Sequence, residues 1–229
     1  MKTATPSVRR QSESIQRMVT AAMLSAITAV LTFTPLGMIP LPPPLLSVTT
    51  VHVPVILAAL AEGPLVGGAV GLVFGLCSLI RAWSSGSVGL TLFFRDPLVS
   101  VLPRLLVPLA AAGVYRLLQK WPRRGSAADR VRVVIAAAVG SLANTVLCLG
   151  TLLVIYGAQL TELINGMISA GSADAAYLDQ AGAWLVAVVG LPNGISEAVA
   201  AAVIVPAIKL AVDAVQRRLP ARRRARKEQ

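Results

Sequence analysis

Arg104, Asn144, Asn193 and Glu197 are the polar side chains placed deepest inside long apolar runs of this 229-residue sequence. Groups of these kinds are costly in an apolar medium, and they persist there when they hold one another or a solute. Arg104 lies about two turns into its run, roughly 9 Å along a helix axis. Asn193 follows Pro192, whose missing N–H can leave a backbone carbonyl free. His52, Arg81, Trp83 and Arg95 fall at the ends of neighbouring runs, near one outer mouth. Arginines outnumber acids around that mouth, which favours an anionic small molecule over a cationic one. Plainer roles stand beside this reading. Arg104 and Glu197 can neutralise one another, Trp83 can be an interface anchor, and His52 can be a helix-terminal hydrogen-bonder.

Catalysis finds no such support. The chain has one histidine, no C-x-x-C and no G-x-x-x-x-G-K-[ST] loop, so no metal centre or nucleotide site is indicated. No paired carboxylates suit a membrane hydrolase. The chain therefore reads as a binding protein, not an enzyme, with no cofactor.

The elements that carry these residues are membrane helices. Hydrophobic residues make up 55% of the chain, charged ones only 14%, and mean hydropathy is +0.73. Soluble globular chains carry roughly 25% charged residues. A crossing needs about 20 apolar residues, and six runs present themselves: Met18–Thr34, a short one at Thr50–Ala61, Leu65–Ala82, Leu98–Leu118, Val131–Tyr156 and Ala183–Val212. The N-terminal run follows basic residues as a signal peptide would, but no small-residue cleavage site follows it, so it counts as the first span.

The net charge of +11 is better explained by topology than by nucleic acid. Lys2, Arg9, Arg10 and Arg17, then Lys120, Arg123, Arg124, Arg130 and Arg132, then the tail from Arg217 to Lys227 each abut an apolar run. The positive-inside rule puts them in the cytoplasm. The outer segments are then 35–49, 83–97 and 157–182, the last with Glu162, Asp174 and Asp179 and no Lys or Arg. The expectation is an all-α membrane protein, a compact bundle of six transmembrane helices with both termini inside. It divides into a basic cytoplasmic segment at 1–17, a membrane domain at 18–214 and a basic tail at 215–229. Cys77 and Cys148 both sit in apolar runs, so no disulfide framework is expected.

Two features concern packing. The segment "PLGMIPLPPPLLSV" is too rich in proline for a helix and too apolar for an ordinary exposed loop. It fits a lid over a pocket, or equally a plug in the bundle mouth. Gly63, Gly67, Gly71 and Gly75 fall at every fourth position, with Gly68 widening the stripe. Glycine costs about 1 kcal/mol against alanine in a helix in water, yet in a bilayer it lets a neighbouring helix approach closely. A second small-residue face, Ala22, Ser25, Ala26 and Ala29, lies on the first span. No 20-to-50-residue repeat is evident, so inverted-repeat carriers gain no support.

The runs "TPLGMIPL", "TTVHVPVILAALAEGPLVGGAVGLVFGLCSLIRAW", "RDPLVSVLPRLLVPLAAAGVYRLL" and "LPNGISEAVAAAVIVPAIKLA", in this order, resemble the substrate-binding S components of energy-coupling factor (ECF) vitamin transporters. The likeness spans about Met18 to Val212. The "SLIRAW" and "PLVSVLPR" pieces are most similar to the pantothenate-type branch, with folate- and cobalamin-type members close behind. The resemblance implies a six-helix subunit of the bacterial plasma membrane that takes its vitamin from outside. It also implies a separate transmembrane coupling subunit and two cytoplasmic ATPases as partners. The family's A-x-x-x-A element falls on Ala22 and Ala26, where it would meet the coupling subunit. The alternative is a stand-alone proton-coupled carrier or channel, with Glu197 as its titrating group.

Overall fold

The computed structural model describes residues 6–39, 48–84, 89–121 and 125–225. Residues 40–47 of the proline-rich segment, together with Lys2, Arg123, Arg124, Arg226 and Lys227, lie outside the described residues. Among the described residues eight α-helices follow one another: α1 (Pro6–Phe33), α2 (His52–Ala61), α3 (Pro64–Ser84), α4 (Pro97–Ser100), α5 (Leu102–Gln119), α6 (Ser126–Ser169), α7 (Ala181–Trp184) and α8 (Leu191–Ala225). Between α1 and α2, β1 (Met38–Ile39) and β2 (Val48–Thr49) pair antiparallel, Met38 opposite Thr49.

Among the described residues, five helical stretches are long and apolar enough to cross a bilayer: Ser14–Phe33, Pro64–Ser84, Pro97–Gln119, Ala127–Ser169 and Ala181–Ala214. The sixth expected span is not among them. Its helix, α2, has ten residues and reaches about 15 Å, half of a 30 Å hydrocarbon core. The chain on either side sets this length: Val48 and Thr49 are extended in β2 just before it, and Gly63, at φ +99°, ends it.

What α2 lacks in length it makes up in burial. Every residue from His52 to Leu60 is buried, and the helix packs against α1, α3, α5, α6 and α8. Val55, Ile56, Val70, Val107, Ala111, Ala136, Ala137 and Ala201 form the core around it. The outside is apolar as well, with Leu65, Val154 and Val203 well exposed. Apolar groups facing outward around a core of small residues are what a lipid surround requires.

The glycine stripe now has a specific use. A Cβ on Gly67 would stand 2.7 Å from Ala59 Cβ and 2.8 Å from Pro108 Cβ. One on Gly75 would stand 2.8 Å from Val101 Cα, and one on Gly71 would collide with the backbone oxygen of Arg104. The stripe is therefore the groove that seats α5 on α3. Gly63 serves a turn instead, and Gly68 faces open space, so it does not widen the groove.

A further expectation is corrected. The outer segment 157–182 is not a loop throughout, because α6 continues to Ser169, with non-helical angles at Tyr156 (φ −120°, ψ 22°). Its continuation carries Leu160 and Ile164 one turn apart, both fully buried in a second core with Leu152, Trp184, Leu185 and Val189. Burial of that stripe outweighs the breaking tendency of Gly157 and Gly166. The first and last apolar stretches, Ser14–Phe33 and Ala181–Ala214, lie close to the expected spans, and their helices continue beyond them, from Pro6 and to Ala225.

Candidate binding site

Arg104 enters the bundle as the third residue of α5, just past Val101, where α4 gives way to α5. Its side chain is 6% exposed. The guanidinium lies between the rings of Phe74 and Phe94, 5.4 and 5.3 Å from their centroids. Nη1 donates to Val99 O at 2.8 Å and to Cys148 Sγ at 3.4 Å. Stacking and two hydrogen bonds fix the plane of the cation, while Nε is buried with no partner. No ion pair joins it to Glu197 among the described residues, so mutual neutralisation by contact is not the arrangement here.

Around this cation four more elements contribute polar groups. His52 opens α2, fully buried, with neither ring nitrogen hydrogen-bonded; it lies within electrostatic reach of Arg104. From α6 come Ser141, Asn144, Thr145 and Cys148, at spacings that place them on one helical face. From α8 come Asn193 and Glu197, one turn apart and both buried. Thr145 packs on Gly194, 3.4 Å from where a Cβ would stand, which brings the two helices together at this level. Glu197 also lies within electrostatic reach of Arg104 and beside Thr145. Its Oε1 accepts from Thr49 N at 2.8 Å and from Thr49 Oγ1 at 3.0 Å.

The local chain explains why α8 presents these residues inward. A π-helical turn at Leu185–Gly190 precedes Pro192. The wider turn gives room for the proline ring and absorbs the absent N–H. Asn193 and Glu197 then face α6, while Ile195 and Val199 face outward at 58% and 60% exposure.

Seven buried side-chain atoms in this region lack a hydrogen-bond partner: His52 Nδ1 and Nε2, Arg104 Nε, Ser141 Oγ, Asn144 Oδ1, Thr145 Oγ1 and Asn193 Oδ1. Each such group costs about 1–3 kcal/mol if left unsatisfied. Folded chains keep few of them, and their concentration in one place makes this patch the candidate binding site.

Sequence reasoning named eight candidates. Five of them, His52, Arg104, Asn144, Asn193 and Glu197, meet in this buried patch. The other three are engaged at the end of α3. Arg81 Nη1 donates to Thr32 O at 2.5 Å and so ties α3 to α1. Arg95 Nε donates to Ala82 O at 3.1 Å, its guanidinium lies 5.3 Å from the Trp83 ring, and Trp83 Nε1 donates back to Arg95 O. Missed were Thr49, Ser141, Thr145 and the aromatic pair Phe74 and Phe94. The i, i+3, i+4, i+7 pattern from Ser141 to Cys148 would have signalled the α6 face.

A buried polar patch built from several apolar helices, within a bundle that is apolar outside, is the arrangement of a membrane-embedded binding protein. The model of the family described as the ECF transporter substrate-specific component matches residues 16–209. The chain belongs to that family. It is a multi-pass membrane protein and the substrate-binding subunit of a transporter; the family is not one of enzymes. Members work with a substrate and a membrane-embedded energy-coupling module. No curated protein matches the chain significantly.

Proposed function

We propose that this subunit captures pantothenate from outside the cell and presents it to partner subunits for ATP-driven uptake. The observation that carries the reading is the pre-oriented Arg104 cation with an unpaired Nε in a patch of unsatisfied neutral groups. Pantothenate offers one carboxylate for the arginine, and an amide and two hydroxyls for polar neighbours. His52, Asn144 and Asn193 complete the contact set, with Glu197 alongside. Arg81, Trp83 and Arg95 form the rim rather than the floor. Folate and cobalamin are larger, and fit less well a patch centred on one cation.

The topology proposed with it is six crossings with both termini in the cytoplasm. In it, β1, β2 and α2 together complete the second passage, and residues 1–17 and 215–229 are the basic cytoplasmic ends. Ala22 and Ala26 are exposed on α1, the least buried of the five spans. They are the proposed contact with the transmembrane coupling subunit, whose two ATPases supply the energy.

The test is equilibrium binding of pantothenate to the purified chain without ATP. R104Q is expected to weaken binding about tenfold or more, since a charge-assisted hydrogen bond contributes about 1.5–3 kcal/mol. Substituting Arg81 or Arg95 is expected to cost less, because both guanidinium groups already serve backbone carbonyls. Unchanged binding in all three variants would remove the carboxylate assignment.

A further inference from the structure

We infer that Glu197 is a positioning residue: it pins β2 to α8 through Thr49 and thereby sets the walls of the polar patch, rather than meeting the solute with its charge. Four observations support this. Glu197 is 4% exposed, yet one carboxylate oxygen takes both available donors of Thr49, the backbone N–H at 2.8 Å and the hydroxyl at 3.0 Å. These bonds bridge 148 residues of sequence. Thr49 is the last residue of β2 and stands opposite Met38, and Thr50 N donates to Gly37 O at 3.0 Å. The open end of the ribbon is thus joined to α1 through the chain before Met38 and tied to α8 through Thr49. Two hydrogen bonds on one carboxyl oxygen therefore tie the ribbon to α8.

The geometry gives the anchor a consequence at the site. His52 is three residues beyond Thr49, and its ring lies in the same buried patch as Arg104 and Glu197. Where Thr49 is held, the start of α2 is held, and with it the unpaired imidazole. Glu197 acts on the solute through β2 and His52. Its influence on affinity rests on the binding reading above; the anchor itself does not.

Two measurements decide it. The first is amide hydrogen exchange of the purified chain with no vitamin added, so that it reads the anchor whatever the ligand is. Glu197→Ala should speed exchange of the Thr49 amide about tenfold or more, with Thr50 following, while Ile56 and Leu152 amides stay protected. Glu197→Gln keeps an oxygen acceptor and should retain most of the Thr49 protection. Unchanged Thr49 exchange in Glu197→Ala, or equal acceleration in both variants, would overturn the anchor. Should Glu197→Ala fail to fold, Thr49→Val removes one of the two bonds and should speed the same amides about threefold.

The second is a double-mutant cycle on pantothenate affinity using Thr49→Val and Glu197→Ala. A residue acting through Thr49 gives non-additive losses, so that Thr49→Val costs little once Glu197 is gone. Losses that simply add would overturn the positioning role and make Glu197 a direct contact. Failure of pantothenate to bind at all sinks the ligand assignment alone and leaves the exchange result to judge the anchor.

Discussion

Arg104 is set in place before any solute arrives. Phe74 and Phe94 flank its plane, and Val99 O and Cys148 Sγ hold one end of the fork. A planar, delocalised cation can use all four contacts, whereas an ammonium on a flexible stem cannot. R104K keeps the charge and is therefore expected to recover little: its affinity for pantothenate should stay about tenfold below wild type. Titration calorimetry on the two proteins checks this. At the same scale, Asn144 and Asn193 each bury an amide oxygen that lacks a partner. N193A should weaken binding while leaving the melting temperature of the empty protein nearly unchanged, because nothing in the empty protein pairs with that oxygen.

The elements show how the cation reaches its depth. Gly71 makes room for the backbone oxygen of Arg104, and Gly75 for Val101 Cα, so the groove on α3 sets how far α5 sinks into the bundle. Gly71→Ala is expected to cost about 1–3 kcal/mol of stability by overpacking and to weaken solute binding by displacing Arg104. Gly68→Ala, with nothing within 4 Å, should leave both unchanged. Thermal unfolding and binding measured on the pair separate the two glycines. The four-residue spacing made the stripe legible in the sequence, and Pro35 marked the end of α1. The chain could not show which glycines face a neighbour, since Gly68 looks like the rest until α5 is placed. The polar patch was half legible for the same reason. Arg104, Asn144 and Glu197 stand out against apolar neighbours, but Thr49 and Phe94 matter only through contacts made across 148 and 10 residues of chain. The outward continuation of α6 was hidden by Gly157 and Gly166, which read as loop residues until Leu160 and Ile164 find a core.

As a whole the molecule is a bundle that encloses a polar patch among apolar core residues and is apolar on its outside as well. Nothing in the chain binds a nucleotide by a G-x-x-x-x-G-K-[ST] loop, which suits a subunit that works with a separate coupling module. The exposed Ala22 and Ala26 on the sparsely covered α1 are the surface proposed for that module, small enough for another helix to pack closely. Replacing both with tryptophan should abolish co-purification with the coupling subunit. Vitamin binding to the isolated chain should stay within about threefold, since α1 contributes none of the proposed ligand contacts. Equal loss of both would place α1 in the binding site.

Capture without pumping is tested most directly in proteoliposomes that contain this chain and no partner. Labelled pantothenate is added with and without a pH gradient, and the label retained per chain is counted. One vitamin should be held per chain, independent of the gradient and absent in R104Q, with no accumulation in the lumen. Accumulation beyond that stoichiometry, driven by the gradient, would contradict the assignment and make the chain a carrier in its own right.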